Sequence, residues 1–319
     1  LLPNWRSLPV GYHGRAGTVV VDGTPIVRPC GQVKRDNGTI EFAPSRMLDV
    51  ELEVGFVTGP GNVLGEPISV DRARDYILGL VLVNDWSARD IQAWEYQPLG
   101  PFLGKSFATS ISPWVVTLEA LEPFKTRLPE QQPPPLAYLR AQNDWNYDVR
   151  LELALRTKAM RERGLSADVL SRTNYGLLYW SMAQQLAHAT SNGATIAPGD
   201  LFASGTISGK EPRSYGSLIE LTWRGTKKLR LSSGEERAFL EDGDEVIMCG
   251  HSAGGALCLL VTDEITRLNA LSRSNKNNQL KWITFGMPAF ANPSHSHSIP
   301  PGYNSQNHLR IYNRDDVFV

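Results

Sequence analysis

Along the first 250 or so residues, hydrophobic and polar positions change rhythm at short intervals, and Gly, Pro and Asp punctuate the changes. That texture predicts short strands separated by tight turns. GTVVVDGTPIV predicts a hairpin turning at Asp22-Gly23. LDVELEVGFVTG opens on clean alternation: in a strand Val50, Leu52, Val54 and Phe56 share one face, and Asp49, Glu51 and Glu53 the other. RDYILGLVLVN reads as a helix running into a buried strand, and Pro-rich LPEQQPPPL, residues 128–136, as a loop or excursion. The clearest helical pattern is NYGLLYWSMAQQLAHATSNG, residues 174–193, with Gly193 placed to end it. PGD, FASGTISG, SLIELTW and RAFLEDGDEVIM then predict further short strands and turns. Near residue 250 the texture becomes Ser/Asn-rich, with a helical pattern in GALCLLVTDEITRLNAL. This sets a boundary between Asp244 and Ser252, with units at residues 1–248 and 249–319.

Composition narrows the function classes. A chain of 319 residues accommodates one large domain or two ordinary ones, and 41% hydrophobic with 20% charged residues is a globular balance. A net charge of −1 gives no electrostatic case for nucleic acid or an anionic membrane. The longest apolar runs, such as YILGLVLV, are too short to span a bilayer. Cys30, Cys249 and Cys258 fit neither a disulfide framework nor a zinc spacing, so a reducing, cytoplasmic setting is expected. The chain opens on Leu1 rather than Met, and sequence upstream of LLPNW is expected.

Two stretches carry candidate chemistry. In DVELE, like charges two apart repel, and burying them unpaired is costly. Either this is a solvated strand face, or a divalent cation relieves the repulsion, since hard cations take carboxylate oxygens. In LVLVNDWSARDIQAWEYQPLGPFLGKSF, an apolar strand delivers Asp85, and Ser87 can cap a short helix carrying Arg89, Gln92 and Tyr96. Those three side chains are spaced to share a helix face and suit gripping a carboxylate-bearing small molecule. Lys105 follows in a Gly-flanked loop.

LPVGYHGR, RPCGQ, LDVELE, NDWSARDIQAWEYQPLGPFLGKSF, PGDLFASGTISG and GSLIELTWRG together resemble the fumarylacetoacetate hydrolase family, over roughly residues 1–248. The resemblance implies an α+β fold, a mixed β-rich roll around a metal-dependent site. It implies hydrolysis of a carbon–carbon bond in a β-diketo acid, giving fumarate and acetoacetate in tyrosine and phenylalanine catabolism. By the same resemblance Glu51, Glu53 and Asp85 bind the metal, Mg²⁺ or Ca²⁺, and Lys105 and Thr109 close the lower side of that site. Tyr12, Gln92, Tyr96 and Thr206 contact substrate, with Arg89 on the same wall, and Lys105 also offsets charge on the departing enolate. Glu220 orients the catalytic histidine; that histidine and one aspartate ligand belong upstream of GYHGR, so this chain alone is expected to be short of both. A homodimer is implied too.

Beyond GDEVI, residues 246–319 resemble a partial α/β-hydrolase segment of the class 3 lipase type. VIMCGHSAGGALCLL reads as strand, elbow and helix, and WITFGMPAFAN and LRIYNRDDVFV as the two following strands. Ser252 would be the nucleophile and Asp316 the triad acid. In that fold the histidine follows the acid, and the chain ends three residues after Asp316. A serine esterase or lipase, or an inactive binding module, are therefore the alternatives to a metal hydrolase.

Overall fold

The computed structural model describes residues 4–142 and 145–251, together with the backbone of 282–285 and 308–311. In chain order the strands are β1 (Val19–Val21), β2 (Cys30–Lys34), β3 (Ile40–Pro44), β4 (Leu48–Asp49), β5 (Leu52–Thr58), β6 (Ile77–Asp85) and β7 (Ser87–Ala88). Helix α1 (Arg89–Glu95) and the single turn α2 (Leu103–Ser106) then lead into β8 (Thr109–Ile111) and β9 (Val116–Thr117). Next come α3 (Leu118–Leu121), β10 (Lys125–Thr126), β11 (Asn146–Tyr147), β12 (Arg150–Arg156), α4 (Lys158–Glu162), β13 (Asp168–Asn174), α5 (Met182–Thr190), β14 (Leu201–Ala203) and α6 (Leu218–Leu221). The last described elements are β15 (Leu229–Arg230), β16 (Glu236–Arg237), β17 (Glu245–His251), β18 (Trp282–Phe285) and β19 (His308–Ile311).

The arrangement is α+β. The central sheet runs β1–β8–β6–β5–β14, with β9 also on β6, and only β1 and β8 run parallel. Its middle strands, LEVGFVT and ILGLVLVND, are the β-branched apolar runs that a sheet covered on both faces selects. Leu52, Val54 and Phe56 join Leu151, Leu153, Leu155 and Leu186 in one core cluster. Full burial of each such side chain contributes about 1.5–3 kcal/mol. Gly79 is required where β9 meets β6, because a Cβ there would lie 2.2 Å from the Val116 carbonyl oxygen.

Three expected elements come out differently. The Asp22-Gly23 turn forms, with Gly23 at φ +82°, but no hairpin follows it; β1 pairs with β8 instead. The long helix over 174–193 shrinks to Met182–Thr190. Ser181 accepts from the Gln184 amide, and Gln184 accepts from the Ser181 amide, a reciprocal cap that starts the helix late. Gly193 ends the segment as expected, at φ +88° with its amide on the Thr190 carbonyl. Finally, SLIEL is not a strand but the short helix α6.

A second sheet orders β13–β12–β17, all antiparallel. β12 and β17 are paired from Arg156↔Glu245 to Arg150↔His251, so the ladder runs three residues past Met248. Trp282–Phe285 and His308–Ile311, both expected as strands, pair in parallel with Trp282 opposite His308. Ser252 and Asp316 lie outside the described residues.

Candidate active site

Two strand breaks face each other. Val50 and Glu51 interrupt the run from β4 to β5, and Trp86 interrupts β6 to β7. β4 pairs with β7 and β5 with β6 on either side of the break. At the break the Glu51 amide donates to Asn84 Oδ1 (3.1 Å), and Glu51 bridges to Ser217. Such an irregularity re-aims side chains. The register also sets Glu53 opposite Val83, and Asp85 lies two residues on, on the same face.

Carboxylate oxygens of Glu51, Glu53 and Asp85 consequently lie within 4.8 Å of one another. The solvated-face alternative for DVELE is overturned: Asp49 is 0% exposed and Glu53 2%.

Each acid has different company. Lys105, itself buried, donates from Nζ to Glu51 Oε2 (2.6 Å) and Asp85 Oδ2 (2.9 Å). The Tyr12 hydroxyl donates to the same Asp85 oxygen, although half of its ring is exposed. Arg89 donates from Nε to Asp49 (2.8 Å) and from Nη1 to Glu51 (2.8 Å) and Gln92 (3.3 Å). Glu53 accepts the Gly205 amide (3.0 Å) and shares a hydrogen bond with the Glu51 carboxyl, and no described cation forms an ion pair with it.

Proton affinities follow. Burial pushes Glu53 well above the usual carboxylate range, and repulsion from Glu51 and Asp85 pushes it further. Burial would raise Glu51 too, but Lys105 and Arg89 more than offset it and hold it low. Burial raises Asp85 against the pull of Lys105. Burial and the Asp85 charge raise the Tyr12 phenol, which therefore keeps its proton. Four acids, Asp49, Glu51, Glu53 and Asp85, thus face two cations, Arg89 and Lys105. With every acid ionised the cluster is two positive charges short.

Local packing delivers the cations. Glu95 at the end of α1 accepts the Phe102 amide (2.9 Å) and the Gly104 amide (2.7 Å). Gly104 lies so close to α1 that a Cβ would be 2.7 Å from the Gln92 backbone nitrogen. Lys105 follows directly. Ser87 does not cap α1 as expected: its hydroxyl donates to the Asp85 carbonyl, and Ala88 occupies the cap position. Ser87 is fully buried in the β4–β7 pairing, which leaves it no route to the helix amides.

The remaining expected residues are spread around this centre. Thr109 pairs with Asp85 in the β6–β8 ladder. Thr206 follows Gly205, whose amide holds Glu53. Glu220 sits in α6, with Oε2 accepting from Ser208 (2.8 Å) and Ser217 (2.6 Å) and no described partner on Oε1. Tyr96 is at the exposed end of α1, and its hydroxyl makes no hydrogen bond among the described residues. The sequence singled out no role for Asp49, Glu95, Ser208 or Ser217. Asp49 carried a signal, as a third acid in the DVELE alternation, but its partners at residues 218 and 219 did not.

An all-oxygen acid cluster with bordering cations, one acid buried and two partly so, at the junction of the β4–β7 and β5–β6 pairings, suits a hard cation and an acidic organic ligand. The chain belongs to the fumarylacetoacetate (FAA) hydrolase C-terminal family, whose model matches residues 2–261. It is 54% identical over 255 residues to the fumarylacetoacetase of Bos taurus, covering 80% of this chain and 60% of that protein. It is 55% identical over 253 residues to the fumarylacetoacetase of Arabidopsis thaliana, covering 79% and 59%. The chain therefore spans about 60% of the length of the curated relatives it matches. Among solved structures, a fumarylacetoacetate hydrolase from psychrophilic Exiguobacterium antarcticum is 19% identical with a TM-score of 0.43, covering 73% of this chain and 59% of that one. A class 3 lipase model matches residues 221–319, overlapping the first match across β17.

Proposed function

We propose that the cluster is the cation- and acid-binding part of an enzyme that hydrolyses fumarylacetoacetate to fumarate and acetoacetate. The observation that carries this reading is Glu53, a buried carboxylate beside two others and without an ion pair among the described residues. Glu51, Glu53 and Asp85 offer oxygen donors only, which suits Mg²⁺ or Ca²⁺ over zinc. A divalent ion held there supplies the missing positive charge and polarises a carbonyl of the diketo acid.

The chain's own residues do the rest. Arg89 has Nε and Nη1 engaged while Nη2 donates to no described residue, which leaves two N–H bonds for a substrate carboxylate. Gln92, Tyr12, Tyr96 and Thr206 line the same ligand. The Lys105 ammonium has no lone pair to give a metal; with Thr109 it borders the ion and offsets charge on the departing enolate. Glu220, whose Oε1 has no partner among the described residues, is free to orient the base histidine that the family resemblance implies. The same family reading makes the protein a cytoplasmic homodimer.

The test is release of fumarate and acetoacetate from fumarylacetoacetate by the purified protein. Turnover should require Mg²⁺ or Ca²⁺, stop with a chelator, and fall at least a hundredfold in Glu53→Gln. Undiminished turnover by that variant overturns the assignment.

The serine esterase alternative, with Ser252 and Asp316, is not favoured: both residues lie outside the described residues, and the class 3 lipase match to residues 221–319 gives them no role.

A further inference from the structure

Asp49 is the one carboxylate of the cluster with no place in the ligand set, and it is the most completely engaged. It is 0% exposed. Its Oδ1 accepts the Val50 amide (2.8 Å) and the Leu218 amide (2.7 Å). Its Oδ2 accepts the Ile219 amide (3.1 Å) and Arg89 Nε (2.8 Å). Every acceptor direction of the carboxylate is taken by groups from three separate parts of the chain.

Those groups belong to the two walls of the site. Arg89 starts α1 and reaches Glu51 with Nη1, so Asp49 and Glu51 together fix two of the three guanidinium nitrogens. A planar guanidinium held at two nitrogens has its third placed by geometry. The Leu218 and Ile219 amides open α6, the helix that carries Glu220. Two further contacts keep α6 in register with the acidic strand: the Leu52 amide donates to the Gly216 carbonyl (2.8 Å), and Ser217 bridges Glu51.

We infer that Asp49 is a positioning residue that locks Arg89 Nη2 and Glu220 into a fixed relation across the site. It touches neither substrate nor cation. The inference rests on the reading above for the nature of the ligand, an organic acid held by Arg89.

Asparagine at position 49 keeps the shape and the Oδ1 acceptor but presents an NH₂ group to Arg89 Nε and the Ile219 amide, donor against donor. Purified wild type, Asp49→Asn, Arg89→Lys and the double variant are compared by calorimetry with fumarate in saturating Mg²⁺, and with Mg²⁺ alone. The expected result is a tenfold or greater loss of fumarate affinity in Asp49→Asn, with Mg²⁺ affinity changed less than threefold. In the Arg89→Lys background the same substitution should cost less than threefold, because Asp49 acts through Arg89. A merely structural role gives equal losses in both backgrounds and overturns the inference.

Should Asp49→Asn not fold, ¹⁵N NMR of the wild type decides. One slowly exchanging arginine Nε–H signal, absent from Arg89→Lys and unmoved by fumarate, supports the lock, and its absence sinks it. Wild type that binds neither Mg²⁺ nor fumarate brings down the functional reading, and the inference with it. Wild type that binds both, with an Asp49→Asn indistinguishable from it, brings down the inference alone.

Discussion

A carboxylate placed as Glu53 is must hold either a proton or a cation, because burial and two neighbouring acids disfavour its bare charge. The consequence for stability has a definite sign. With the folded pKa above the unfolded one, the unfolded chain gives up its proton first, so stability falls as pH rises above the ordinary glutamate value of about 4.3. In chelator, the unfolding temperature of the wild type should drop as pH rises above that value, and that of Glu53→Gln should drop less. Saturating Mg²⁺ should flatten the wild-type curve, and calorimetry in two buffers of different ionisation heat should show proton release on binding. Equal release by Glu53→Gln would assign the proton elsewhere. At Arg89 the same scale of argument predicts that lysine, though charged, loses the fork. Fumarate should then protect wild type against heating several degrees more than Arg89→Lys.

Among the elements, the contact between α1 and α2 is the most exacting. In Gly104→Ala the new methyl meets Gln92 N, Cα and Cβ at 2.7, 2.8 and 2.8 Å, none of them the far end of a flexible side chain, so the α2 turn must move away. We expect a loss of about 1–3 kcal/mol in urea unfolding, in the range of overpacking costs. Mg²⁺ affinity should change as well, since Lys105 is the next residue and its ammonium lies 2.6 Å from Glu51. A folded, equally stable variant would mean the turn is looser than described.

Element by element, what the sequence made legible is also instructive. Glu51 and Glu53 stood out as like charges two apart in an alternating strand, which left a solvated face and a cation site both open; the resemblance, not the spacing, joined Asp85 to them. Arg89 and Gln92 were readable because three-residue spacing puts them on one helix face. SLIEL was misread because its pattern alternates as a strand does, while the Asp49 carboxylate that receives the α6 amides lies about 170 residues earlier. Likewise Tyr175 to Trp180 carry helix-like apolar spacing, yet a cap at Ser181 and a Trp180 indole bound to the Trp5 carbonyl (2.9 Å) take them out of the helix. Local pattern loses where a distant partner supplies the hydrogen bond.

For the whole molecule, a cation bound at the acid cluster would link the site to global stability. Mg²⁺ or Ca²⁺ at a hundred times its dissociation constant should add about 2.7 kcal/mol against unfolding. Thermal melts across a cation titration would read this directly, and a flat response would show that no ion is held by the native state alone.

The acidic strand also has a history during synthesis. Its satisfying groups arrive late: the Lys105 ammonium 54 positions downstream of Glu51, the Gly205 amide 152 downstream of Glu53, and the Leu218 and Ile219 amides 169 and 170 downstream of Asp49. Translation at roughly 5–20 residues per second leaves Asp49–Glu53 exposed for many seconds before its last partners leave the ribosome. Contacts of such long range also close slowly once the chain is free. The mutual repulsion of these acids is meanwhile an advantage, since charged residues in an otherwise apolar strand discourage pairing with neighbouring chains. The charges gathered in the acid cluster of the finished protein are the same ones that disfavour such pairing in the nascent strand.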